Sequence, residues 1–168
     1  MKLKFLEYKT KSYLKSNTSL RTSLPYQQSK NIGIIFTVED KRKHDEIKEF
    51  VRRLELEGKV VTVLSFLPKN KDNYEFLFDF FTDKELNFWG SITSGTATRF
   101  ADTAFDFLFY VDVIPNPFIL NIIARSKARC RVGRYFDQGE PYFEFMIQIH
   151  EDTKSLIDGI HRYTSKLH

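Results

Sequence analysis

The sequence predicts an α/β domain of three layers, helices on both faces of a mostly parallel sheet, and three observations carry that prediction. Short β-rich apolar runs alternate with segments of helical period along the chain. The stretch Phe105–Arg134 reads as strand, turn, buried helix, strand, which is a complete βαβ unit. Its first part, Phe105–Val113, is apolar except for Asp106 and Asp112, as a strand covered on both faces should be.

A chain of 168 residues holds one full core. With 42% hydrophobic and 29% charged residues it is an ordinary globular composition, which excludes a disordered or fibrous chain. A single cysteine, Cys130, forms no internal disulfide and no CxxC pair, which fits a reducing, cytoplasmic setting. No apolar run reaches the roughly 18 to 20 residues of a membrane span, and the N-terminus lacks the apolar core of a secretory signal.

Charge is unevenly placed. Residues 1–30 hold seven of the 26 cations and one of the 22 acids, leaving 19 cations and 21 acids for the remainder. The sequence therefore divides into a basic N-terminal arm and linker, residues 1–30, and an α/β domain, residues 31–168. Within the arm, Leu3, Phe5, Leu6, Tyr8, Tyr13, Leu14 and Leu20 alternate loosely with lysines, the imperfect pattern of a short amphipathic helix. The polar stretch Ser16–Asn31 with Pro25 reads as an extended linker.

In the domain, Ile32–Thr37 is the first expected strand. Thr37 and Asp40 resemble a capping box for a helix whose apolar stripe is Ile47, Phe50, Val51 and Leu54. Gly58 ends that helix, and Val60–Leu67 is the second strand. A short strand is expected near Glu75–Phe81, a turn with aromatic anchors at Thr82–Gly90, and a short helix within residues 93–104. After Phe105–Val113, Asn116 and Pro117 cap and open a helix extending to about Ala128. Cys130–Gly133 and Tyr142–Ile149 are the last strands, on either side of a turn at Gly139. Asp152 or Thr153 caps a final helix carrying Leu156, Ile157, Ile160, Tyr163 and Leu167.

Enzyme signatures such as GxxxxGK[ST], HExxH, GxSxG and GxGxxG do not occur, so no catalytic residue, cofactor or metal is assigned. Val38-Glu39-Asp40 after the first strand is acidic and without glycine, unlike a nucleotide turn. Two ligand readings remain at the strand ends. Ser94, Gly95 and Thr96 could hold a phosphate on amides and hydroxyls, or simply cap a helix. Asp112, beside Asn116, could contact a nucleotide or phosphosugar, or serve the turn. Asp106 and Asp112 lie roughly 20 Å apart on one strand and form no catalytic pair. Cys130 is expected to be an inert buried thiol, and His44, His150, His161 and His168 to sit solvated.

The arm suits RNA or a ribonucleoprotein such as the ribosome: Lys2, Lys4, Lys9, Lys11, Lys15 and Arg21 would neutralise phosphates while aromatic rings stack. A second basic cluster, Arg125, Lys127, Arg129, Arg131 and Arg134, lies beside the end of the central helix; complementing the helix dipole accounts for the first two, and Arg129, Arg131 and Arg134 add to that surface. An anionic membrane surface would take the same composition, and so would a solvated tail.

The order IGIIF, LNFWG, FDFLFYVDV, ARSKARCRVGRY, FEFMIQI and a closing helix resembles a small uncharacterised bacterial family of domains of unknown function, over the chain from about Ile32. The fragment SKARCRVGR is similar to a pattern in Rossmann-like halves of some glycosyltransferases. The resemblance implies a Rossmann-like body and carries no catalytic residues with it.

Overall fold

The computed structural model describes residues 1–149 and 152–168. Six strands form one sheet, parallel at every pairing: β1 (Asn31–Thr37), β2 (Val60–Phe66), β3 (Asp79–Phe81), β4 (Phe107–Tyr110), β5 (Cys130–Arg134) and β6 (Phe145–Ile147). Their order, β3-β2-β1-β4-β5-β6, is the doubly wound Rossmann-like arrangement, with its switch point between the carboxyl ends of β1 and β4.

The strands alternate with a period of two, and each half of that alternation feeds one face. Ile32, Ile34 and Phe36 of β1 and Phe107 and Phe109 of β4 meet α2 (Lys41–Leu56) and α5 (Thr153–Thr164) through Ile47, Phe50, Leu54, Leu156 and Ile160. Ile35, Leu108 and Tyr110 face the other way, toward α3 (Gly95–Asp102) and α4 (Pro117–Arg125), whose Ala97, Phe100, Ile119, Ile122 and Ile123 complete the second core. Burial on both faces is why these strands read as unbroken apolar runs.

Several strands are shorter than their apolar runs. Phe105 is buried, yet it lies outside β4, its ring 4.9 Å from Phe100 beneath α3. Of the expected strand at Glu75–Phe81 only Asp79–Phe81 pairs, because Tyr74–Phe76 is a 3-10 turn with Glu75 at φ 58. Likewise Glu140–Tyr142 is a 3-10 turn and β6 begins at Phe145.

Residues 1–30, set apart on composition, pack into the same unit. Helix α1 (Lys2–Ser16) lies along the outside of α4 with Leu6 fully buried, and Thr10 Oγ1 accepts a 3.0 Å bond from Asn121 Nδ2. At its end Asn17 Nδ2 donates to the carbonyls of Ala124 and Ser126, both at 2.9 Å, satisfying the free oxygens that end α4. The stretch read as a linker is pinned as well. Tyr26 is buried, and the buried Lys59 ammonium donates to the Tyr26 and Ser29 carbonyls at 2.6 and 2.7 Å.

Candidate nucleic-acid interface

The switch point, where a doubly wound sheet ordinarily receives a ligand, is closed by the chain's own side chains. Asp112 Oδ1 accepts from Lys43 Nζ at 2.6 Å and from the Thr37 amide at 2.8 Å, and its Oδ2 accepts from the Thr37 hydroxyl at 2.6 Å. Asn116 Nδ2 donates to that hydroxyl at 2.8 Å, and Asn116 Oδ1 caps α4 by accepting from the Phe118 amide. The Tyr110 hydroxyl accepts from the Asn116 amide at 2.8 Å, and burial, followed by the Asp112 charge, pushes its pKa well above the ordinary phenol value. With Lys43 3% and Asp112 2% exposed at their side chains, the carboxylate has no free face for a substrate. The structure thus gives Asp112 and Asn116 to an internal network.

Two details depart from the expected capping. Asp40 alone caps α2, accepting from the Lys43 amide at 2.8 Å, while the Thr37 hydroxyl turns to Asp112. Lys43 stands four residues before Ile47 and so shares the face of the apolar stripe. That spacing was the signal for its burial.

Ser94 caps α3: its buried hydroxyl accepts from the Ala97 amide at 3.1 Å. Gly95 opens the helix, and the Thr96 hydroxyl accepts from Arg99 at 3.3 Å. The hydrogen bonds of these three residues are local to the helix start, the helix-capping alternative. Cys130 is buried, with burial raising its thiol pKa, so it is poorly disposed to form a thiolate. His44 is buried against Tyr74 and Phe78, not solvated as expected, and His161 Nε2 lies 2.6 Å from Glu57 Oε1. His168 is exposed, and His150 lies outside the described residues. No group of side chains among the described residues has the makings of a metal site. None of the helices among them is long and apolar enough to cross a membrane.

The basic residues have a different arrangement. Lys4, Tyr8, Lys11 and Lys15 recur at helical spacing and form one exposed face of α1, opposite Leu6 and Thr10. Lys11 is paired with Glu7 at 3.3 Å across exposed side chains, a weak contact in water. Lys2 reaches the Leu86 carbonyl at 3.3 Å, and Lys9 is half-buried.

Beyond α1 the chain joins the second cluster. The Arg21 guanidinium donates to the Ala128 carbonyl, and the Thr22 amide to the Arg129 carbonyl at 3.0 Å. Burial and the neighbouring Arg131 both lower the Arg21 pKa from its ordinary value. At this junction Lys127 is exposed, and the Arg129 side chain is 41% exposed, 4.0 Å from Asp106. Asn17 and Thr22 thus tie the chain after α1 to the segment that carries Lys127 and Arg129, more than a hundred residues later.

Arg131 and Arg134 are placed elsewhere. Arg131 is buried, with Nε 2.9 Å and Nη2 2.7 Å from the two oxygens of Glu144 and Nη1 donating to the Ile123 carbonyl at 3.1 Å. Arg134 stands at the far end of β5 and ties the Val113 and Ile149 carbonyls together, each at 3.2 Å. Of the three arginines expected to extend the basic surface, only Arg129 presents its side chain there.

Comparison with curated proteins gives no match. The model of DUF6913, a family of unknown function, matches residues 2–167, and the chain belongs to that family.

Proposed function

We propose that this protein is a non-catalytic cytoplasmic RNA-binding module that engages RNA, or a ribonucleoprotein such as the ribosome, through the exposed face of α1 together with Lys127 and Arg129. The observation that carries the reading is the exposed face of Lys4, Lys11 and Lys15 on α1, whose end is tied through Asn17, Arg21 and Thr22 to the segment that carries Lys127 and Arg129. Lys4 and Lys15 project from α1 without an ion pair among the described residues, so phosphates would not have to displace a carboxylate. Neutralising each phosphate releases condensed counterions, so affinity should fall steeply with salt.

The test is a salt titration of RNA binding by the full chain, because α1 is part of the folded unit. Lys4→Gln, Lys11→Gln and Lys15→Gln together remove three cations from the exposed face. The logarithmic salt slope for single strands should become shallower by about 2. Binding unchanged by the triple variant overturns the reading.

A further inference from the structure

Trp89, the only tryptophan of the chain, is 67% exposed on a turn built to keep it there. Leu86 and Ile92 form an antiparallel bridge, and between them Asn87 Oδ1 accepts from the Trp89 amide at 3.0 Å and the Ser91 amide at 2.9 Å. The Asn87 amide donates to the Ser91 carbonyl at 2.9 Å, and the Gly90 amide donates to the Asn87 carbonyl at 3.1 Å. Gly90, at φ +80, lies so close to α1 that a Cβ there would sit 2.4 Å from the Phe5 carbonyl carbon. The turn is wedged on the helix, and its side-chain bonds hold the backbone that presents the indole.

Phe88 stands edge-on to Trp89, centroids 5.3 Å apart, and 6.3 Å from the ring of Phe5. Between this turn and α1 runs a cleft of about 590 Å³ lined by Lys4, Phe5, Tyr8, Lys9 and Trp89. Three aromatic residues and two lysines line it, and no acidic residue does. Flat π-faces next to cations are the chemistry of a strand whose bases are unpaired and whose phosphates lie alongside. A duplex hides its base faces and would meet only the outer lysines. A lipid surface takes a continuous apolar face with cations at its edge, whereas here Lys4 and Lys9 are among the five residues that line the cleft.

We propose that this cleft is a stacking subsite for unpaired nucleobases, and hence that the RNA taken by the protein is single-stranded. This rests on the reading of α1 as an RNA-binding face and specifies its substrate class. Lys4 and Lys9 hold the phosphates on either side of bases that stack on Trp89 and Tyr8.

The experiment titrates full-length protein with a single-stranded oligouridine and with an RNA duplex of equal length, following the intrinsic fluorescence of Trp89 and, separately, the anisotropy of labelled RNA. Oligouridine should quench the tryptophan. Trp89→Ala and Tyr8→Ala should each weaken oligouridine binding by roughly tenfold, Trp89→Ala with duplex binding unchanged, and Trp89→Phe should recover most of the loss. Oligouridine bound with unquenched fluorescence and undiminished affinity in both alanine variants overturns the stacking subsite while leaving RNA binding in place. Failure of both RNAs to bind overturns the underlying reading as well. A blue shift of Trp89 on anionic phosphatidylserine vesicles, without RNA binding, assigns the cleft to a membrane and overturns both.

Discussion

Lys43 Nζ meets Asp112 Oδ1 at 2.6 Å, both side chains sealed from water, at the switch point where an open α/β sheet ordinarily holds its ligand. The pair links α2 to the end of β4, and through Thr37 and Asn116 it also fixes the start of α4. Removing one member leaves the other charged and buried. Lys43→Met and Asp112→Asn should each cost about 3–5 kcal/mol, measured by urea denaturation. In the double variant the loss should be smaller than the sum of the singles, since the stranded charge is then gone.

Helix α1 is held by an apolar side chain and two polar hooks, and its loss should be felt by the whole domain. Leu6→Ala should lower stability by about 2–5 kcal/mol, because Leu6 is fully buried in the core that includes Ile119 and Ile123. Deleting residues 1–30 removes the cover of α4 and the acceptor carbonyls of buried Lys59 together. Circular dichroism should report loss of cooperative melting in that truncated chain; an unchanged transition would sink the account.

The turn at Gly90 makes a separate demand. A side chain there meets both an unfavourable φ and the backbone of α1. Gly90→Ala should cost about 1–3 kcal/mol, read by thermal denaturation. Its tryptophan emission should also change, as the turn lifts from α1 and Trp89 moves with it.

The βαβ unit at Phe105–Arg134 was readable because burial on both sheet faces erases the alternation of polar residues, and Asn116-Pro117 marks a helix start with two independent signals. Placement of the basic residues was harder to read. Lysine composition speaks for solvent, yet α1 docks with Leu6, Thr10 and Asn17, too few and too polar to give a clear stripe. Arg131 was mistaken for a surface cation because its partner lies thirteen residues on, across a turn. Only the parallel register of β5 with β6 brings Arg131 and Glu144 together. Similarly, strand order is a property of crossovers, which local period does not encode.

Acid should weaken the contact of Glu57 with Tyr26 and His161. Glu57 accepts from the Tyr26 hydroxyl and lies against His161; burial alone would raise its pKa, but these two bonds outweigh it and hold the carboxyl below its ordinary value. A carboxylate held low binds fewer protons in the native than in the unfolded chain. Its contribution is therefore complete above the unfolded value of about 4.3 and is lost as pH falls through the native value. Glu57→Gln should flatten this part of the acid limb in urea midpoints measured between roughly pH 5 and pH 3. An acid limb identical to that of the parent would show that other carboxylates govern it.

The three arginines of β5 and its approach should separate cleanly by measurement, because they hold different kinds of bond. Arg129 has a side chain 41% exposed and a 4.0 Å approach to Asp106, and its carbonyl accepts from the Thr22 amide. Arg129→Ala should leave the melting temperature almost unchanged, since such a pair is weak in water, and reduce the salt slope of RNA binding by about 0.7. Arg131→Ala strands Glu144 without its bidentate partner and leaves the Ile123 carbonyl only the Ser126 amide as donor, and should cost about 3–5 kcal/mol with no change in slope for the protein that remains folded. Arg134→Ala frees the Val113 and Ile149 carbonyls at the opposite end of the strand, a loss of about 1–3 kcal/mol, again without effect on RNA. Loss of affinity with Arg134 equal to that with Arg129 would move the binding surface to the strand ends and away from α1.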